Sequence, residues 1–371
     1  MTAAAPTVLM TADTIGGVWR YAIELCTWLG ERGATVALAT MGNHMTRAQR
    51  REARAISGLE VFESNYRLEW MNDPWADVDR AAAWLLDLES VVRPSVVHLN
   101  GYAHGALPWR APALIVAHSC VESWFRAVKS ESAPSSYDTY RRAVTQGLAR
   151  VGAVVAPTAA MLRALEEAYG PVWTGRVIPN GLRAEHFCPS EKQPVVLSVG
   201  RMWDPAKNLR ALSAAAERIE WPVVIAGSRT PPVEEATREM PCAVRALGQV
   251  SAAEVSRWMA LAAIYALPAY YEPFGLSVLE AALSGCALVL GDVPSLRETW
   301  AGAALFVEPG DHAALAQTLK RLIDDRTLRA QLAVRARSRG RAFSADRMGA
   351  GYLAVYHELM DATTAQLPIG A

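Results

Sequence analysis

The sequence predicts an α/β protein built of two doubly wound domains of similar size, facing a central cleft. Short apolar runs of strand length alternate with stretches of helical periodicity along the chain. The alternation restarts near Pro194, after a crossover punctuated by proline and glycine. Strict alternation of this kind implies parallel sheets covered on both faces. A chain of 371 residues, 51% of them apolar, has the length and the core-forming material for two such domains.

The first strand is the apolar run Thr7–Thr11. The turn Asp13-Thr-Ile-Gly16-Gly17 follows, then a helix with Val18, Tyr21, Ala22, Leu25, Trp28 and Leu29 at helical spacing. Gly33 fits the helix C-cap, and Thr35–Thr40 is the second strand. Glycines at a strand-to-helix turn let the backbone approach a ligand, and the helix N-terminus points at whatever binds; a tight structural turn explains Gly16 and Gly17 equally well. The turn lacks G-x-G-x-x-G, and no acidic residue at Met41-Gly42 awaits a ribose, which argues against a dinucleotide oxidoreductase. Arg47, Arg50, Arg51 and Arg54 lie on a helix and read as a solvated face rather than a membrane or acceptor patch. A helix spans Asp77–Val92, and strands follow at Val96–Leu99 and Ala113–Ala117. His98 and His104 read as hydrogen-bonded structural histidines, since no third metal ligand accompanies them. His118 ends a strand, and the carboxyl edge of a parallel sheet is where ligands bind. The stretch Glu122–Tyr137, polar from Lys129 onward, reads as loop. Then come an amphipathic stretch over Asp138–Arg150, a strand at Ala153–Ala156, a helix from Thr158 to Tyr169, and a strand at Arg176–Ile178.

Pro179-Asn-Gly181 through Phe187-Cys-Pro189 forms the crossover, so the domains are expected at residues 1–185 and 190–345. The second opens with the strand Pro194–Val199, followed by Gly200-Arg201 and Lys207. Lysine occurs only four times in the chain, which singles out Lys207. Two cations after a buried strand suit a diphosphate, since arginine binds it bidentately and lysine as a point charge; a surface loop with solvated charges explains them equally well. Further strands are expected at Val223–Ala226, Val244–Leu247, Ile264–Leu267, Ala287–Leu290 and Leu305–Val307. Helices fall between them, including Ala252–Leu261, with later ones at Thr327–Arg339 and Asp346–Met360. After Ile264–Leu267 comes Glu272-Pro-Phe-Gly-Leu-Ser-Val-Leu-Glu280. Pro273 and Gly275 make a turn, and Leu276, Leu279 and Leu283 recur at helical spacing. The free amides and dipole of that helix suit a phosphate or a sugar hydroxyl between two carboxylates; on spacing alone, two glutamates eight apart are also common by chance, and a glutamate early in a helix is favourable anyway. The residues from Gly291 to Glu298 read as loop.

Bulk composition narrows the classes. Lys+Arg and Asp+Glu are both 37, so no basic field exists for nucleic acid. Five widely spaced cysteines without a CxxC pair argue for a reducing compartment and against a cysteine zinc site. The N-terminus has no signal-peptide pattern, and no apolar run approaches membrane-spanning length. A cytoplasmic location without a transmembrane segment is the expectation.

Gly16-Gly17, the strand-terminal His118, Arg201-x5-Lys207 and Glu272-x7-Glu280 with Pro-Phe-Gly inside occur together and in order. This set resembles the retaining glycosyltransferases of the GT-B fold, glycosyltransferase family 4, over nearly the whole chain. Ile178-Pro-Asn-Gly181 with Phe187, Ala226-Gly227-Ser228, Leu247-Gly248-Gln249-Val250 and Val307-Glu-Pro-Gly-Asp311 also match. The resemblance implies two Rossmann-like domains, with a helix over 346–362 completing the N-terminal, acceptor-side domain. It implies that Gly16 and Gly17 approach the donor diphosphate or sugar, and that His118 hydrogen-bonds the donor sugar. Arg201 and Lys207 would hold the diphosphate, and Glu272 would contact sugar hydroxyls. The amides of Phe274, Gly275 and Leu276 would meet sugar or phosphate, Glu280 the ribose, and the Gly248–Val250 backbone the base. Asp204-Pro205 and Ser295 are not distinctive family residues. No Asp-x-Asp motif stands out, so no metal and no cofactor is expected. The implied reaction is transfer of a hexose from a UDP- or GDP-sugar to a sugar, lipid or small-molecule acceptor, with peripheral membrane contact left open. A nucleotide-sugar epimerase, an inverting transferase, or an inactive nucleotide-sugar-binding protein are the alternatives.

Overall fold

The computed structural model describes residues 5–172, 174–229 and 243–366; Cys242 and the small-residue tail lie outside them. The chain divides into two compact units. One comprises Met1–Ser123, Ser132–Gly181 and Ala345–Ala371, and the other Trp124–Glu131 and Leu182–Ser344.

The first unit holds seven strands, β1 (Thr7–Asp13), β2 (Thr35–Met41), β3 (Leu59–Glu63), β4 (Val96–Leu99), β5 (Ala113–Val116), β6 (Ala153–Ala156) and β7 (Gly175–Val177). All pair in parallel, in the order β3-β2-β1-β4-β5-β6-β7. Its helices are α1 (Gly17–Gly30), α2 (Arg47–Arg54), α3 (Trp75–Val92), α4 (Val121–Lys129), α5 (Asp138–Arg150) and α6 (Ala159–Tyr169), with α4 running on into the second unit's segment. Side-chain oxygens cap two of them: Thr46 forms a capping box with Gln49 on α2, and Thr158 accepts from Met161 N on α6. Capping satisfies amides that have no partner within the helix.

The second unit holds β8 (Gln193–Val199), β9 (Val223–Ala226), β10 (Arg245–Gly248), β11 (Ala262–Leu267), β12 (Ala287–Gly291) and β13 (Ala304–Val307). They too pair in parallel, in the order β10-β9-β8-β11-β12-β13. Its helices are α7 (Leu209–Ala216), α8 (Ala252–Leu261), α9 (Leu276–Leu283), α10 (Pro294–Trp300), α11 (His312–Asp324) and α12 (Arg326–Gly340). Lys192 serves two helices at once. Its Nζ donates to Met259 O, Ala260 O and Ser284 O at 3.1, 2.8 and 2.7 Å, occupying carbonyls at the ends of α8 and α9.

The last helix, α13 (Ala345–Gln366), packs on α1 of the first unit. Gly349 lies against Trp28 so closely that a Cβ there would come within 2.2 Å of the indole. The Trp28 indole donates to Asp346 at 2.7 Å. Tyr352 and Tyr356 are fully buried, and Tyr356 OH meets His98 Nδ1 at 2.6 Å.

Each sheet has one place where chain order reverses, between β1 and β4 in the first and between β8 and β11 in the second. Chains diverge there to opposite faces and leave a crevice at the carboxyl ends of the strands. Gly16 and Gly17 follow β1, Arg201 and Lys207 follow β8, and Glu272 follows β11, at those two places.

Three segments depart from the sequence reading. Leu59–Glu63 is a strand that the sequence did not reveal: it lies at the sheet edge, half exposed, with no apolar run. Val121–Lys129 is a helix in part of the stretch read as loop; it is only nine residues long and runs directly into the polar stretch that begins at Lys129. Pro294–Trp300 is helix rather than loop. Proline sits at its first turn, where a missing N–H costs nothing, and Leu296 and Trp300, one turn apart, are both fully buried.

Candidate functional site

In the second unit the site grows from two loops, one leaving β8 and one leaving β11. The β8 loop carries Arg201, Asp204 and Lys207. Asp204 is 3% exposed, and one oxygen accepts from Arg201 Nη2 at 2.6 Å. The other accepts from Ala206 N at 3.0 Å and from the Trp124 indole at 3.3 Å. Burial pushes the Asp204 carboxyl up, but Arg201, Lys207 and these donors outweigh it and hold the group below the usual carboxylate range. Arg201 also stacks on Trp203, and its Nε is buried without a partner among the described residues.

Lys207 Nζ reaches across to Glu272 Oε2 at 2.7 Å, with both side chains 14% exposed. A pair this sheltered is held by geometry, because neither charge is compensated by water once its partner leaves. The loops are joined elsewhere as well. Tyr270 N donates to Ala206 O at 2.9 Å. The buried Asn208, at φ +54°, donates to Pro268 O at 2.9 Å and to Pro309 O at 2.7 Å, tying the loops after β11 and β13. Ser295 Oγ donates to Glu272 O at 2.5 Å, which fixes the backbone that carries the carboxylate.

The β11 loop runs directly into α9. Gly275 is the N-cap at φ +88°, a left-handed conformation; a Cβ there would sit 2.9 Å from Val278 Cγ2. Only glycine adopts this freely. Leu276 opens the helix, and no side chain caps it. Phe274 is 3% exposed and packs edge-on against Phe343, so its ring anchors the turn while its amide belongs to the loop. Glu280 lies one turn further along α9. Tyr265 beneath donates to Ser277 Oγ at 2.7 Å. Burial raises its phenol first, and the charges of Glu272 and Glu280 add to the rise, which places both carboxylates within electrostatic reach of one phenol. Val250 follows β10, two strands from β8 in the sheet, and precedes the Ser251 cap of α8.

The first unit contributes Gly16, Gly17 and His118. Gly16 caps α1 at φ +89°, Gly17 is the helix's first residue, and both are exposed. His118 follows β5. Its Nε2 lies 2.7 Å from Asn100 Oδ1, and the Tyr21 ring meets it edge-on at 4.5 Å. Burial pushes the imidazole down to about 3, so the ring is neutral at ordinary pH. His98 and His104 are core residues: His98 bonds Tyr21 and Tyr356, and His104 lies 3.1 Å from Val78 O. Among the aromatics of the neighbouring loops, Tyr102 donates to Ser119 O and Trp109 to His104 O, so both are spent on packing.

The structure thus joins Arg201 to Asp204 and Lys207 to Glu272, with Phe274, Gly275 and Leu276 following Glu272 on the same segment. The sequence reading missed the side chains that hold these loops, Asp204, Asn208 and Ser295, and likewise Asn100 beside His118. Their partners lie on other elements, where local spacing gives no signal; the Asp-Pro and Pro-Ser turns were the only hint. Among the described residues, no three His, Cys, Asp or Glu side chains group as a metal site, and no helix is long and apolar enough to cross a membrane.

Two parallel, doubly wound units with ligand-edge cations and an open helix N-terminus define a GT-B architecture. Residues 15–186 match the family described as Glycosyltransferase Family 4, and residues 193–325 match that described as Glycosyl transferases group 1. The chain belongs to glycosyltransferase family 4. It is 30% identical over 165 residues to the O-antigen chain mannosyltransferase B of Escherichia coli, a match covering 41% of this chain and 42% of that relative's length. Its fold superposes on sucrose-phosphate synthase from Thermosynechococcus elongatus with a TM-score of 0.79 at 18% identity, covering 96% of this chain and 99% of the other. Anabaena HepE, solved in complex with UDP-glucose, aligns with a TM-score of 0.72 at 17% identity, over 97% of this chain and all of that one.

Proposed function

We propose that the protein moves a hexose from a UDP- or GDP-sugar to an acceptor hydroxyl, with retention of anomeric configuration and without a metal ion. The observation that carries this reading is the pairing of Lys207 with Glu272 beside Arg201, at the switch point of the second sheet and next to the uncapped start of α9. Breaking the bond between sugar and diphosphate leaves negative charge on the departing oxygen. Preorganised cations and helix-terminal amides stabilise that charge without reorganising. Asp204 fixes the Arg201 guanidinium on the β8 loop. When phosphate takes Lys207, Glu272 is released to accept from a sugar hydroxyl. Glu280 serves the ribose hydroxyls, and Phe274, Gly275 and Leu276 offer their amides. Gly16 and Gly17 approach the donor, His118 receives a sugar hydroxyl, and the Val250 backbone meets the base. In the proposed step the acceptor oxygen bonds to the anomeric carbon on the face the diphosphate vacates. Its proton passes to the leaving phosphate oxygen.

The mannosyltransferase relative and the UDP-glucose complex of the structural neighbour support a nucleotide-sugar donor of this class. A thermal-shift panel of UDP-, GDP- and ADP-sugars is the first test, and stabilisation by none of them overturns the reading. Proton NMR of fresh product then reports the anomer; inversion refutes retention. Activity lost on exhaustive chelation and restored by Mg²⁺ refutes the metal-free step.

A further inference from the structure

We propose that Asn100 is a positioning residue that fixes the tautomer of His118, so that His118 presents Nδ1 as a hydrogen-bond acceptor and recognises a hydroxyl that must donate. Asn100 sits at the carboxyl end of β4, between β1 and β5 in the sheet. Its backbone N–H donates to Thr11 Oγ1 at 2.9 Å, and its Nδ2 lies 2.6 Å from Thr11 O. A carbonyl oxygen only accepts, so the amide nitrogen must face Thr11, and Oδ1 must face His118. Oδ1 is 2.7 Å from His118 Nε2. An amide oxygen also only accepts, so the proton resides on Nε2. In a neutral imidazole the other nitrogen is then a bare lone pair. No described residue bonds Nδ1, and His118 is partly exposed.

The surroundings keep the ring neutral. The titratable groups around it are Tyr21 of α1, which packs edge-on, and His98 of β4. Tyr352 and Tyr356 of α13 stand behind them. Burial pushes His118 and His98 each down to about 3 and raises the three phenols. Donation therefore runs in one direction across three adjacent strands, from His118 to Asn100 to Thr11, and leaves His118 Nδ1 as the acceptor at the outer end. Its chemical consequence is selectivity: a hydroxyl satisfies Nδ1, whereas fluorine or an ether oxygen at the same place leaves two acceptors face to face.

The hydroxyl-recognition part rests on the proposed glycosyl transfer; the tautomer does not, and the experiment separates them. Nitrogen-15 NMR of histidine-labelled protein, with His118 assigned by its loss in His118→Gln, reads the tautomer directly. The expected result is a protonated Nε2 and an unprotonated Nδ1, unchanged between pH 5.5 and 8.5 (about three decades in proton activity, all above the value near 3). A protonated Nδ1 in the wild-type protein overturns the proposal. Asn100→Leu is expected to show both tautomers and to lower kcat/KM about tenfold, the equivalent of one hydrogen bond, with whichever of UDP-glucose and GDP-mannose is turned over. Asn100→Asp keeps the acceptor but adds a charge that favours imidazolium. It should gain an acid limb in its pH–rate profile that the wild type lacks. Identical profiles for the two proteins would count against the assignment. If neither donor is turned over, the transfer reading fails and the NMR result still decides the tautomer.

Discussion

Lys207 and Glu272 occupy the most consequential contact among the described residues. Both are sheltered, and each neutralises the other in the absence of ligand. Removing one leaves a charge that is costly to shelter alone. Lys207→Ala should therefore lower unfolding stability by about 1–3 kcal/mol and abolish measurable transfer, read by urea melts and by turnover. On the proposed reading the two carboxylates of the β11–α9 segment separate in role: Glu280→Ala should raise donor KM, while Glu272→Ala should chiefly lower kcat. Equal losses in donor binding, with turnover at saturation untouched, would refute that division. Asp204 is a third case. Its substitution by alanine frees Arg201 and the Ala206 amide together, so donor affinity, measured by calorimetry, should fall about tenfold or more.

At the scale of the element, the β11 loop and α9 form a launch point that depends on one backbone angle. Gly275→Ala forces a Cβ into Val278 at φ +88°. It should destabilise the protein by about 1–2 kcal/mol and raise donor KM, because the helix amides move with the turn. Lys192→Met tests the other end of the same helix. Losing three carbonyl acceptances should cost about 2 kcal/mol and leave donor KM nearly unchanged. Much of this architecture was legible beforehand, since buried parallel strands are short apolar runs and the helices between them carry apolar residues at helical spacing. Asp138–Arg150 and Ala252–Leu261 fall where periodicity puts them. The edge strand Leu59–Glu63 was not legible, because a half-exposed edge strand needs no apolar run. The candidate residues stood out through order and spacing. Asn100, Asp204 and Asn208 did not, because their meaning resides in partners up to a hundred residues away.

For the molecule as a whole, the first unit rests on a histidine that is neutral by necessity. His98 is 0% exposed, and burial pushes it down to about 3 from its usual value of 6.5. Between those two values the unfolded chain binds the proton and the folded chain does not, so the stability that His98 contributes is complete above 6.5 and drains as pH falls. Compared with His98→Phe, the wild-type advantage in unfolding free energy should shrink by up to about 1.4 kcal/mol for each pH unit below 6.5. Urea titrations at several pH values read this directly, and a constant difference would contradict it. The same core depends on α13. A chain ending at Ser344 should lose the first unit's near-ultraviolet dichroism, because Tyr21, Trp28 and His98 lose the surface that covers them.

That dependence sets a schedule for biosynthesis. The strands of the first unit emerge early, but Ala345–Gln366 follows only after the whole segment from Leu182 to Ser344. At ordinary elongation rates the interval is roughly 10–30 s. The second unit can close while the first still waits with its Trp28 and Tyr21 face uncovered. Nascent chains caught in that interval are the species on which chaperones and proteases have the longest to act, and slowing translation between the two should lower the yield of folded protein more than slowing it after α13.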